Sequence, residues 1–150
     1  MMNLRNVVRL NRSTKKTRSV SQLLNQKNMA TFAFEKLEVW RLSVDFVSNL
    51  YEVTSSFPKE EKFGLTSQIR RAAISISSNI AEGSSRSTSK DQRRFYNIAY
   101  STAIEVMNQL IIANKLEYLS NIDYKKLRAD LEQITRMINA LHKSTKKLNP

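Results

Sequence analysis

The side chains best placed to do chemistry in this sequence are cations. Arg70, Arg71, Arg86, Lys90, Arg93 and Arg94 fall around the junction of two predicted helices. Basic groups near a helix N-terminus can contact phosphates, helped by exposed backbone amides and the helix dipole. The competing reading is a solvated charged face, with Arg70 or Arg71 paired internally to Glu82 or Glu105. Cations at a helix N-terminus oppose the dipole, so either an anion or an internal partner is expected there. Other chemistry is thinly equipped. The 150-residue chain has one histidine and no cysteine, which excludes Cys-ligated zinc, iron–sulfur clusters and thiol catalysis. A general base must be poised by neighbours, and His142 stands in a basic tail with no second strong ligand nearby. Glu35 with Glu38 and Glu60 with Glu61 sit near helix starts, where the dipole already accounts for acids. Gly64 and Gly83 are too far apart to form a phosphate-binding loop. No catalytic residue, metal ligand or cofactor is expected, and the chain reads as a non-enzyme.

A second candidate is the stripe Gln68, Arg71, Ser75, Ser78, Asn79 and Glu82 on one predicted helix face. Serine is a mediocre helix former, and a plain solvent face would more often carry Lys, Glu or Gln. The stripe is therefore expected to make a subunit contact or a polar network. Ser75, Ser78 and Asn79, together with Tyr96, Tyr100 and Met107, are the expected oligomer interface. The two tyrosines and Met107 could also be stacking platforms for bases, but their helical spacing on an apolar strip favours core or interface.

The elements that must hold these residues are helical. Two glycines and two prolines in the whole chain disfavour an all-β protein. The first helix is predicted from Phe34 to Ser55. It carries one apolar face through Leu37, Trp40, Val44, Val47 and Tyr51, and a second through Val39, Leu42, Phe46, Leu50 and Val53. The second runs from Glu60 or Gly64 to Glu82, with core positions Leu65, Ile69, Ala72, Ile76 and Ile80. Gly83 is placed just past its end, as a left-handed cap. Ser89 and Gln92 are read as a capping box opening the third helix, which ends near Leu116. That helix has two overlapping seams, Phe95–Ala99–Thr102–Val106–Gln109–Ala113–Leu116 and Tyr96–Tyr100–Ala103–Met107–Leu110–Ile111. The fourth opens on Ser120 and Asp123. Its seam alternates strictly through Tyr124, Leu127, Leu131, Ile134, Ile138, Leu141, Thr145 and Leu148.

Short connections between long helices predict an all-α fold, an up-down antiparallel four-helix bundle over residues 32–148. Apolar strips on the first and third helices exceed what one bundle core needs, which predicts a closed homo-oligomer. No apolar run approaches the roughly 18 residues of a membrane span, so no membrane partner is expected and a cytoplasmic location is.

Formal charge is +12. Residues 1–28 hold seven basic residues and no acid, while the remainder is +5. Residues 1–31 are therefore expected to be a basic extension, disordered or not translated, of which residues 1–28 contribute nothing to stability. Three origins fit it: a nucleic-acid-binding arm, a transit peptide, or translation that begins at Met29. The last is favoured because Met29 stands where the patterned sequence starts.

Residues 34 to about 148 resemble the four-helix bundle family encoded in intervening sequences of bacterial 23S rRNA genes. The carrying segments are Phe34-Glu35-Lys36-Leu37-Glu38-Val39-Trp40, the run from Phe57 through Gly64 to Ala73, Ser78-Asn79-Ile80-Ala81-Glu82-Gly83, and Gln109-Leu110-Ile111-Ile112-Ala113. That family is similar in fold to the accessory protein of diversity-generating retroelements. The resemblance implies a ring-like homopentamer, RNA or DNA as partner, a reverse transcriptase as an alternative partner, and no enzymatic activity.

Overall fold

The computed structural model describes residues 30–146. The expectations for residues 1–29 and for Leu148 lie outside the described residues. Among the described residues there are four α-helices, two 3-10 turns and no strand. The helices are α1 (Glu38–Thr54), α2 (Leu65–Ser84), α3 (Ser89–Lys115) and α4 (Asn121–Lys146). Helix α1 packs on α2 and α4, and α3 packs on the same two, closing a four-helix bundle.

Helix α1 starts four residues later than its periodicity suggests. Ala33–Lys36 form a separate 3-10 turn, and Leu37 is extended at φ −77°, ψ 120°. The turn is held from both sides. The Phe32 N–H donates to the Glu35 carboxylate at 3.0 Å, and the Arg41 side chain donates to the Glu35 and Lys36 carbonyls at 2.9 and 3.1 Å. Phe34 then packs edge-on against Trp40, with centroids 4.9 Å apart.

Of the two apolar strips on α1, the bundle buries the one containing Val39, Phe46 and Leu50. Val44 and Tyr51 on the other strip remain 39% exposed each. Ser43 and Thr54 complete the buried face. Each hydroxyl donates back to its own helix, to the Trp40 and Leu50 carbonyls, both at 2.7 Å. That local bond removes the cost of burying the hydroxyl.

Helix α2 is preceded by a 3-10 turn, Lys59–Phe63, after Pro58. The Glu61 carboxylate accepts from the Leu65 N–H at 2.8 Å, satisfying one orphan donor of the α2 N-terminus. Ile69, Ala72, Ala73, Ile76 and Ile80 form its buried stripe. Each fully buried isoleucine contributes about 1.5–3 kcal/mol.

Gly83 corrects its predicted role. It lies inside α2, buried, and no described glycine has positive φ. A Cβ there would meet the Tyr96 ring at 2.6 and 2.9 Å and the Phe95 Cβ at 3.1 Å. The glycine is required by the close approach of α3, not by a turn. Left-handed backbone occurs instead at Glu117, φ 59°. There the Tyr118 N–H bonds the Ala113 carbonyl at 2.9 Å and the Glu117 N–H bonds that of Asn114 at 3.1 Å. This is a Schellman end built on a non-glycine residue.

The N-cap of α3 is Thr88, one residue before the predicted Ser89. Its hydroxyl accepts from the Asp91 N–H at 3.2 Å and donates to the Asp91 carboxylate at 2.8 Å. Gln92 donates to the Arg86 carbonyl instead, at 2.9 Å. Ser120 caps α4 as expected, bonding both the backbone and the side chain of Asp123. The α4 seam is also as expected: Leu127, Leu131, Ile134, Ile138 and Thr145 are buried.

Two substitutions should move stability in directions opposite to ordinary helix propensity. Gly83→Ala gains helix propensity but overpacks the α2–α3 contact at a cost of about 1–3 kcal/mol, lowering Tm by several degrees. Glu117→Gly relieves left-handed strain and should add about 1 kcal/mol. Thermal unfolding of both variants checks this; a stabilised Gly83→Ala protein would contradict the close-approach account.

Candidate functional site

The antiparallel α2–α3 pair sets where the six predicted cations can stand. Arg71 lies twelve residues before Gly83, about 18 Å along the helix, on the side away from the α2–α3 loop. Arg70 and Arg71 therefore do not join the junction cluster. Arg70 faces α1: Nε donates to the Thr54 hydroxyl at 2.8 Å, Nη2 donates to the Tyr51 carbonyl at 3.2 Å, and the guanidinium stacks 4.4 Å over the Tyr51 ring. It ties α2 to the last turn of α1. Neither Glu82 nor Glu105 is its partner. Arg71 is exposed and lines a shallow cleft of about 300 Å³ with Gln68, Ser75, Thr102 and Glu105.

The other four cations do meet at the α2–α3 junction, in different states. Arg86 pairs with Glu82 one turn back and stacks 4.7 Å over Phe95. Arg93 reaches across to α4, where Nη1 donates to the Thr145 carbonyl at 3.3 Å. That placement puts a cation at the negative end of a helix dipole. It also places the last turn of α4, with exposed Lys143, at the same end of the bundle. Lys90 and Arg94 are exposed and form no ion pair among the described residues. Their four-residue spacing puts them on one helix face. Asp91, the acid in this turn, is engaged with Thr88.

The polar stripe of α2 is not enclosed within the protomer. Gln68, Arg71, Ser78 and Glu82 are exposed, and Ser75 and Asn79 are half-buried. Asn79 donates to both the carbonyl and the hydroxyl of Ser75, at 2.7 and 3.0 Å. The lower half of the stripe borders the Thr102–Glu105 cleft. Ser78 and Glu82 border a second cleft, beside Phe32 and Phe34.

Of the apolar interface candidates, Tyr96 is corrected to core. It is 3% exposed, packed against Gly83, and burial pushes its phenol pKa up. A ring so placed can neither stack on a base nor cover a partner. Tyr100 and Met107 are half-buried at the edge of the core. They belong to a strip that includes Ile104, 48% exposed, and Ile111, 39% exposed. Ile104 was not among the predicted residues. Its spacing of four, three and four through Tyr100, Ile104, Met107 and Ile111 is a helical signal that could have found it.

The family described as 23S rRNA-intervening sequence protein matches residues 35–140, and the chain belongs to that family. The bundle is similar to the crystal structure of a protein of unknown function from the S23 ribosomal protein family of Bacteroides thetaiotaomicron VPI-5482. The two share 26% identity at a TM-score of 0.63, covering 70% of this chain and 98% of that one. No curated protein matches the chain significantly. No helix among the described residues is long and apolar enough to cross a membrane.

The arginines should separate by partner. Arg70→Gln loses a hydrogen-bonded, stacked cation and should cost about 1–3 kcal/mol. Arg94→Gln should stay within about 0.5 kcal/mol of the parent. Chemical denaturation measures both, and equal stabilities would remove the strut role of Arg70.

Proposed function

We propose that this member of the 23S rRNA-intervening sequence protein family is a non-enzymatic, homo-oligomeric bundle that associates with RNA or DNA through the α2–α3 junction. The observation that carries the nucleic-acid reading is the exposed pair Lys90 and Arg94, with no carboxylate partner among the described residues, on the first turns of a long helix. Two cations against a positive dipole end favour an incoming anion. Arg86 and Arg93 flank the pair but already have partners. Their release to phosphate would give up existing bonds.

Self-association is supported by the strip Tyr100, Ile104, Met107 and Ile111, which the bundle leaves partly uncovered. A ring of such protomers would concentrate positive potential and attract polyanions. Five subunits are proposed from the family resemblance. The half-buried Ser75–Asn79 pair and neighbouring Ser78 are proposed at a second contact, where small side chains let another helix approach. A cytoplasmic location is part of the same proposal.

A second reading has its own support. Three of the six predicted cations are hydrogen-bonded or paired within the protomer, at Arg70, Arg86 and Arg93. A scaffold that binds another protein, such as a reverse transcriptase, would need no more than that.

Salt dependence separates the two. Each phosphate contact contributes about −0.7 to the log–log slope for a single strand. Lys90→Gln with Arg94→Gln should therefore reduce the slope by about 1.4 on single-stranded RNA. The further changes Arg86→Gln and Arg93→Gln should add less. An unchanged affinity and slope in the fourfold variant would favour the scaffold. Light scattering coupled to size exclusion should give a multiple of 17.3 kDa; a clean monomer would overturn the oligomer, and a stable dimer would refute the pentamer.

A further inference from the structure

At the end of α2 away from the α3 N-terminus, a cleft of about 500 Å³ lies between the last turn of α1, the Lys59–Phe63 turn and the start of α2. Its volume falls within the range of small-molecule sites. Three cations line it, Lys59, Lys62 and Arg70, with three hydroxyl residues, Thr54, Ser55 and Thr66, and no carboxylate. Phe57 and Pro58 supply an apolar wall.

Two features distinguish this cleft from an ordinary basic surface. The first is Thr66, in the first turn of α2. It is only 8% exposed, yet its hydroxyl has no hydrogen-bond partner. Buried hydroxyls are normally bonded; the Thr66 oxygen is closed to water although the residue lines the cleft, so a guest there meets it by a rotation of the Thr66 side chain. The second is Arg70. Its guanidinium is already positioned by Thr54, the Tyr51 carbonyl and the Tyr51 ring. Those two bonds use two of its five donors. The remaining N–H groups are held in place without further ordering of the side chain.

We propose that this cleft binds a phosphomonoester, with the phosphate toward Arg70, Lys59, Lys62 and Thr66 and the organic group against Phe57 and Pro58. Three positive charges match a dianion better than a carboxylate or an internal phosphodiester, each of which carries one charge. Arginine's planar fork and the hydroxyl suit phosphate oxygens. Glu60 and Glu61 are the carboxylates of the adjoining Lys59–Phe63 turn, and neither lines the cleft. Glu61 accepts from the Leu65 N–H, so the ligand is held by side chains and not by that amide. The site is independent of the proposed nucleic-acid contact, since Lys90 and Arg94 sit at the opposite end of α2.

The test is calorimetric titration of the full chain at constant ionic strength with phenyl phosphate, and with benzoate as the singly charged control. Phenyl phosphate should bind one per chain and more tightly than benzoate. Lys59→Gln with Lys62→Gln, both at exposed positions, should weaken it about tenfold. Thr66→Val removes only the unpaired hydroxyl; it should weaken binding while Tm holds or rises. Arg136→Gln, at an exposed position on α4 outside both sites, should leave binding unchanged. A 5′-phosphorylated oligonucleotide compared with its dephosphorylated twin tells whether the phosphate arrives on a nucleic-acid end or on a small molecule. No heat from phenyl phosphate at millimolar concentration would overturn the site. So would equal losses in the Lys59/Lys62 and Arg136 variants, which would mean diffuse attraction.

Discussion

The close approach of α2 and α3 governs the rest of the bundle. Ala72, Ala73 and Gly83 on α2 and Ala99, Ala103 and Ala113 on α3 are all buried. Small side chains along both helices let the backbones come near, and at Gly83 the ring of Tyr96 occupies the space a Cβ would need. Interiors are packed to crystal density, so such a contact has one good register. That register fixes the loop through Arg86 and the first turns of α3 at one end of the molecule. It leaves Arg71 partway along α2 and Arg70 facing α1.

The consequence is a division of labour among residues that look alike in the sequence. Arg70 is structural, Arg86 is neutralised by Glu82, and Arg93 completes the C-terminal end of α4. Lys90 and Arg94 keep their charge available to solvent. At the α2–α3 junction, partners assigned by the fold, more than the number of basic residues, determine which cations are free for an incoming anion. The same reasoning separates the tyrosines. Tyr96 became core because it faces Gly83, while Tyr100, one turn later, sits at the edge of the core.

The four helices, the α4 seam and the α2 core stripe were legible because apolar residues repeat there at a helical period. Less legible were features that depend on a neighbour. Ser43 and Thr54 occupy core positions, but their burial rests on local backbone bonds that hydropathy does not register. Gly83 followed by polar residues has the form of a helix stop, yet its reason lies across the interface in Tyr96. The break at Leu37 depends on Arg41 reaching back to two carbonyls. Thr88 and Ser89 are both competent caps, and Asp91 decided between them through a reciprocal bond that Gln92 does not make. The cation cluster was half legible: the junction four are adjacent in sequence, whereas the orientation of Arg70 required the position of α1.

The proposed function rests on nucleic acid meeting this protein at the α2–α3 junction. Photo-crosslinking of the full chain to a single-stranded RNA, followed by mass spectrometry of the linked peptides, reads that contact directly. The account predicts crosslinks concentrated in residues 84–97, with secondary ones in the last turn of α4 beside Arg93. Crosslinks spread over the exposed faces of α1 and the middle of α4, with none at the junction, would contradict it.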